Sequence, residues 1–143
     1  MKCERGQALV IAAILIGIGA LAIVGLRAVQ DRMLENAVAQ DAGEAAVEAA
    51  AAVVADAYVT RIGSVRAHAF DVPRPTVDIA GLLADPATRE SARSAASQIA
   101  VRNGGVFDGA IEVRCVGSTL EIELHHAGRL HRAAIQADAC SPR

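Results

Sequence analysis

The sequence predicts an α+β protein with a long N-terminal transmembrane-plus-stalk helix. A small head follows, with one helix packed on a three-stranded antiparallel sheet. Three features predict it. Ala8 to Leu26 is nineteen residues drawn only from Ala, Val, Ile, Leu and Gly. Arg27 to Tyr58 follows with no proline and no cluster of turn residues. Near the C-terminus, Ile111–Cys115 and Leu120–Leu124 alternate apolar and polar side chains, the period of two that a half-buried strand requires. These features divide the 143 residues into a short cytoplasmic N-terminus (1–7), a transmembrane helix (8–26), a stalk helix (27–60) and an extracytoplasmic α+β head (61–143).

A helix rises about 1.5 Å per residue, so the apolar run covers roughly 28 Å, close to the hydrocarbon thickness of a bilayer. Lys2 and Arg5 flank it on one side with Glu4 between them, and Arg27 and Arg32 lie past its other end. These charges lean only slightly toward a cytoplasmic N-terminus. A cleaved secretory signal has a shorter apolar core and a small-residue site just beyond it. The one such site here, Ala37-Val38-Ala39, is separated from the run by Arg27, Asp31, Arg32 and Glu35, which favours retention in the membrane. Within the run, Ala8 and Ala12, and Ala13 and Gly17, are small pairs spaced by four, a spacing that permits close helix–helix contact and self-association.

The unbroken stretch after Leu26 reads as the same helix leaving the bilayer. At 100° per residue, Leu26, Val29, Met33, Val47, Val54 and Tyr58 share one face, and Arg27, Asp31, Glu35, Asp41, Glu48 and Asp56 fall elsewhere. Asp31–Glu35 and Glu44–Glu48 are like-charge pairs at four-residue spacing, consistent with a solvated acidic face. Met33 and Tyr58 read as packing residues rather than as part of a cofactor site. From Arg61 to Ala84 the pattern loosens, and Pro73 and Pro75 around Arg74 predict an extended loop. A second helix then has clear punctuation. Asp85 caps it, Pro86 occupies its first turn, Ala92, Ala95, Ala96, Ile99 and Ala100 form its buried stripe, and Asn103-Gly104-Gly105 stops it.

Two-residue turns at Gly117-Ser118 and Ala127-Gly128 fix the registers of a three-stranded meander. The first sets Cys115 opposite Leu120, Val113 opposite Ile122 and Arg114 opposite Glu121. The second sets Leu120 opposite Ile135, Ile122 opposite Ala133 and Glu123 opposite Arg132. Both put apolar residues on one face and charge pairs on the other. The cost is Glu112 opposite Glu123, relieved by Arg132.

The composition excludes several function classes. Net charge is −2, the arginines are scattered among a similar number of acids, and aromatics are 2 % of the chain, so nucleic-acid binding has no support. Cys3, Cys115 and Cys140 lack metal-ligand spacing, and Cys3 precedes the apolar run, unlike a lipoprotein anchor. His125 and His126 point to opposite faces and His131 sits opposite Leu124, so solvated histidines at a hairpin end are expected rather than a metal site. Cys115 falls on the core face beside Ile111 and Val113, where a thiol is inert. No glycine loop cradles phosphate, since Gly104-Gly105 is a helix stop and Gly17 and Gly19 lie in the apolar run. The reading is of a chain with no catalytic residues, no cofactor and no metal.

A disulfide between Cys115 and Cys140 is not expected from the register. Cys140 lies five positions beyond Ile135, so a regular third strand would carry it to the other face and too far along, given that bridged Cα atoms lie within about 7 Å. A bend after Asp138, or another strand order, is what would bring the two ends together.

Glu4-Arg5-Gly6-Gln7-Ala8-Leu9-Val10, running straight into the apolar helix, resembles the start of TadE/TadG-like proteins, minor pilin-like (pseudopilin) components of the tight-adherence, or Flp, pilus assembly system. The stretch Glu35-Asn36-Ala37-Val38-Ala39-Gln40-Asp41-Ala42-Gly43-Glu44-Ala45-Ala46 looks like the alanine-rich stalk of that group, and a head ending in a strand with repeated alanines fits it too. The resemblance covers about the first 46 residues closely and the remainder loosely. It implies a single-pass protein of the cell membrane with its N-terminus cytoplasmic and its head outside. Its partners would be the bilayer and other pilus-assembly membrane proteins or pilin-like subunits. It also implies a prepilin-peptidase site between Gly6 and Gln7. Members of the group commonly carry glutamate at the fifth position after that glycine, where this chain has Ile11. A charge-free helix is cheaper to keep in lipid, so the departure favours a retained anchor over a processed subunit. The competing reading is a single-pass anchored binding or sensing module unrelated to pili.

Overall fold

The computed structural model describes residues 3–68, 77–107 and 109–140, with side chains of the first helix described over 9–67. Helix α1 runs Cys3–His68, α2 Ile79–Ala84 and α3 Pro86–Arg102. Strand β1 spans Ile111–Val116, β2 Thr119–His126 and β3 Arg129–Gln136, and a 3-10 turn follows at Asp138–Cys140. The chain forms two compact units, Met1–Ala37 and Val38–Arg143.

α1 is one helix because alanine, leucine and other good helix formers fill it and no proline breaks it. It ends eight residues beyond the expected limit at residue 60. Ser64 Oγ donates to the Arg61 carbonyl at 2.8 Å within this added segment. In the first unit, every described side chain of α1 is exposed. In the second, Ala42, Ala46, Val47, Ala50, Ala51, Val54 and Tyr58 are buried, so the head's core reaches back into the segment read as stalk. Of the six residues assigned to one apolar face, Val47, Val54 and Tyr58 are buried, whereas Leu26, Val29 and Met33 are exposed.

The expected loop at Pro73-Arg74-Pro75 lies outside the described residues. Helix α2, by contrast, was not anticipated. Six residues are too few to show a period, but its cap is specific. The Gly81 amide donates to the Asp78 carboxylate at 2.8 Å, and a side chain at Gly81 would collide with that carboxylate. α3 starts and stops where expected. Asp85 accepts from the amides of Ala87 (3.3 Å) and Thr88 (3.0 Å), with Pro86 in the first turn. The Thr88 hydroxyl also donates to Asp85, and this bond above all holds the Asp85 carboxyl below the usual aspartate range. At the other end Gly104 adopts φ +79, Gly104 N–H bonds Val101 O and Gly105 N–H bonds Ala100 O, the paired bonds of a Schellman stop.

The sheet has the order β1-β2-β3, antiparallel throughout. Every predicted pairing is present: Cys115–Leu120, Val113–Ile122 and Arg114–Glu121 in one ladder, Leu120–Ile135, Ile122–Ala133 and Glu123–Arg132 in the other. Gly117 takes φ +60 at the first turn, and Ala127 and Gly128 take +49 and +73 at the second, the signs that two-residue hairpins demand. Glu112 does face Glu123, but the relief is double. Glu123 Oε1 accepts from Arg114 Nη2 at 2.7 Å and Arg132 Nε at 2.6 Å, and the two guanidinium groups leave Glu123 only 5 % exposed.

Leu120, Ile122 and Leu124 on β2 are the largest fully buried side chains. They join Ala92, Ala96 and Ala100 of α3, the buried face of α1, and Ile79 and Leu82 of α2 in one core. Alanines four apart on both α1 (42, 46, 50) and α3 (92, 96, 100) supply smooth helix surfaces, so the strand leucines and isoleucine carry the volume. Fully burying each of these three side chains contributes about 1.5–3 kcal/mol, which makes β2 the strand on which head stability turns.

Candidate functional site

In the first unit, the most apolar eighteen-residue window of α1 has a mean hydropathy of 2.9 and none of it is buried. Leu9, Ile11, Ile14, Leu15, Ile16, Ile18, Leu21, Ile23 and Val24 all face outward, and Ala8–Leu26 holds no charged residue. A soluble surface does not carry an apolar patch of this extent. The helix therefore fits a hydrocarbon environment, and its length suits one membrane crossing. Ala13 and Gly17 lie exposed on it, and a side chain added at Gly17 would touch nothing. Gly6 and Gln7 fall within α1, in the part whose side chains lie outside the described residues.

The head carries a disulfide that the register argument had excluded. Cys115 and Cys140 are bonded, with Cα atoms 5.4 Å apart. The meander register is not at fault; the assumption that the third strand continues is. β3 stops at Gln136, the Ala137 amide donates to Ser118 O at 2.9 Å, and Ala137 is fully buried. The 3-10 turn Asp138–Cys140, closed by Cys140 N–H to Ala137 O at 2.9 Å, then swings Cys140 back toward the end of β1. Cys115 itself is exposed rather than set in the core, because it lies near the end of β1 beyond the helices' cover. A structural disulfide is consistent with an oxidising, extracytoplasmic compartment.

The histidines also depart from expectation. His125 is exposed, but His126 and His131 are buried at 4 % and 7 % exposure. The register itself explains why. His126 shares its face with Leu124, and His131 pairs with Leu124, so both rings lie on the core side of the hairpin. Their centroids are 6.4 Å apart at a tilt of 50°. Burial first, then the neighbouring His126, lower the His131 pKa; Glu44 opposes them, and Arg129 adds a still smaller lowering. Among the described residues no group of three or more His, Cys, Asp or Glu is placed to hold a metal.

Among the described residues, open clefts mark the head surface, two of them well defined. One, of about 360 Å³, lies between α2–α3 and β1 and is lined by Leu82, Leu83, Ala92, Ile111 and Val113 with Arg89 and Arg114 at its polar side. The other, of about 610 Å³, lies between α1 and the edge strand β3, with Glu44, Glu48, His131 and Arg132 on its walls. Arg114 is committed to Glu121 and Glu123, and the Glu121 bond above all raises its pKa further. Comparison of the chain with family models, curated proteins and solved structures finds no match.

Proposed function

We propose that this protein is a membrane-anchored, non-enzymatic structural or assembly component of the minor-pseudopilin, TadE/TadG-like kind, serving a Flp (tight-adherence) pilus or a related secretion system. The observation that carries the proposal is the fully exposed, charge-free span of α1, entered directly from the Glu4-Arg5-Gly6-Gln7-Ala8-Leu9-Val10 segment. Such a span has two uses, holding the head at a bilayer and meeting other apolar helices. Ala13 and Gly17 give it a notch for the second, since small residues four apart let helix backbones approach. The N-terminus stays cytoplasmic and the disulfide-bonded head extracytoplasmic, where oxidised cysteines persist. Its partners are the bilayer, pilin-like subunits and further copies of the same helix. Ile11 keeps the span free of charge, which supports an anchor retained with Gly6-Gln7 uncut.

The test is mass spectrometry of the mature N-terminus in the native membrane, combined with crosslinking from a photoreactive group at Ala13. The proposal expects a start at Met1 and crosslinks to membrane components of a pilus-assembly system. A start at Gln7 would make the chain a processed pilin, and a start at Gln40 a secreted domain. The second reading, a single-pass binding or sensing module unrelated to pili, draws on the two head clefts. Crosslinks from the span to lipid alone, with a ligand retained by the head, would favour it.

A further inference from the structure

We infer that His131, set beside His126 between the β2–β3 hairpin and α1, is an acid-sensitive latch: neutral, it seats the hairpin end against the helix, and protonated, it lets that end go.

The geometry is that of a ring fitted into a prepared space. α1 offers no side chain at the contact, because the residue beneath the His131 ring is Gly43. A Cβ there would collide with Nε2, Cδ2 and Cε1 of the imidazole. His126 is seated similarly, with its Nε2 3.3 Å from where a Cβ on Gly105 would lie. Around the rings, Arg129 Nη1 donates to Gln40 Oε1 at 2.9 Å, and Gln40 Nε2 donates to Glu44 at 3.0 Å, a chain of polar contacts that ties the hairpin tip to α1. Among the described residues, the buried His131 Nε2 atom has no hydrogen-bond partner.

That last feature makes protonation disruptive. A neutral imidazole carries one N–H, and the cation carries two. On protonation, Nε2 must hold a proton with no acceptor, and a positive charge enters a buried site. The charged and titratable groups facing the ring do not offset this. His126 on β2 and Arg129 on β3 oppose a cation, and Glu44 on α1 favours one but more weakly than burial disfavours it. Glu48 of α1 and Arg132 of β3, on the walls of the same cleft, are exposed, with Arg132 paired to Glu123; His125 is exposed on the other face, and Asp41 is exposed on α1. Once the hairpin end opens, the imidazole takes its proton near the ordinary value of 6.5.

The sign follows by linkage. The closed state has the lowered pKa, so the open state binds more proton as pH drops below 6.5. The latch is fully effective above 6.5 and is progressively lost as the pH falls through the lowered value. Only the tip of the head is involved, so the latch stands or falls independently of the assembly role proposed above.

The test is hydrogen exchange of the full-length protein in detergent micelles, read at the amides of Ala42–Val47 and Leu124–His131 and converted to opening constants. Between about pH 7.5 and about pH 5.5 the opening constant should rise severalfold, up to about tenfold, the limit set by an open-state imidazole titrating near 6.5. In His131→Gln the rise should vanish, while amides of β1 exchange as before. If that variant fails to fold, an NMR titration of the His131 ring in the unsubstituted protein serves instead, with a midpoint below 6.5 and a hairpin opening constant that rises between 6.5 and that midpoint. An opening constant equal at the two pH values, an equal rise in His131→Gln, or a ring titrating at or above 6.5 would each overturn the latch.

Discussion

Both compact units draw on small and aliphatic residues along α1, yet those residues are exposed in one and buried in the other. In the first, Leu21 is 75 % exposed and every large aliphatic of Leu9–Leu26 faces outward. In the second, Ala42, Ala46 and Ala50 of the same helix are wholly buried, although alanine offers little apolar area. Hydropathy by itself does not say which part of a helix is covered. The described side chains of the first unit find no internal surface to cover them and suit an apolar solvent. The second has a sheet whose leucines and isoleucine can be covered in water, and alanines are what allow two helices to reach it. The contrast can be broken or sharpened by substitutions that affect one unit and spare the other.

The largest effect should come from the strand that fills the core. Ile122→Ala should cost about 2–5 kcal/mol of head stability, measured by denaturant unfolding of the head, because it leaves a cavity where the surrounding alanines cannot collapse. Its membrane fractionation should be unchanged. Opening the disulfide comes next. The bridge closes a loop with a sequence separation of 25, so Cys140→Ser should cost about 3–4 kcal/mol by loop-closure entropy. A thermal scan in the presence and absence of reductant checks it, and only the unsubstituted protein should respond to reductant. A paired substitution probes α1 directly. Ala46→Leu should overpack the core and cost about 1–3 kcal/mol, whereas Ala13→Leu should leave head unfolding untouched and weaken only helix–helix crosslinking. The smallest effect is a gain. Ala127 holds a φ of +49 in the β2–β3 turn, so Ala127→Asn should stabilise the head by about 0.5–1 kcal/mol in the same unfolding assay.

What the sequence made legible, and what it did not, follows the range of each interaction. The meander registers could be read because two turns of fixed length and a period of two leave one alignment that puts Leu120, Ile122 and Leu124 on a single face. The limits of α3 were equally plain, since Asp85, Pro86 and Gly104 act within one helical turn. The misses are of two kinds. α2 is too short for periodicity, and the extra residues of α1 to His68 lie where no breaker interrupts the chain. The others needed a second step of geometry. His126 and His131 share the face of Leu124, so a pair of buried rings was implicit in the very register that was used to separate them. The Cys115–Cys140 bridge depends on a reversal after Ala137 that no local turn signal announces. Of the candidate site, the apolar span was legible in full, because nineteen uncharged residues are long and apolar enough to cross a membrane. The head clefts were not, since one arises where three helices meet β1 and the other where α1 meets the edge strand β3.

Anchoring and folding fall to separate parts of the chain: one apolar span suits a membrane, and the head has a core of its own. Carbonate extraction of membranes separates the two roles, comparing the full-length chain, its Ile16→Arg variant and a chain beginning at Gln40. The full-length protein should remain in the pellet. Ile16→Arg should shift toward the supernatant, as expected from an insertion cost of about 2.5–3.5 kcal/mol for arginine at mid-span. The chain beginning at Gln40 should be wholly soluble, folded and disulfide-bonded. Its retention in the pellet after the wash would contradict the account, because the head would then hold the membrane by a surface of its own.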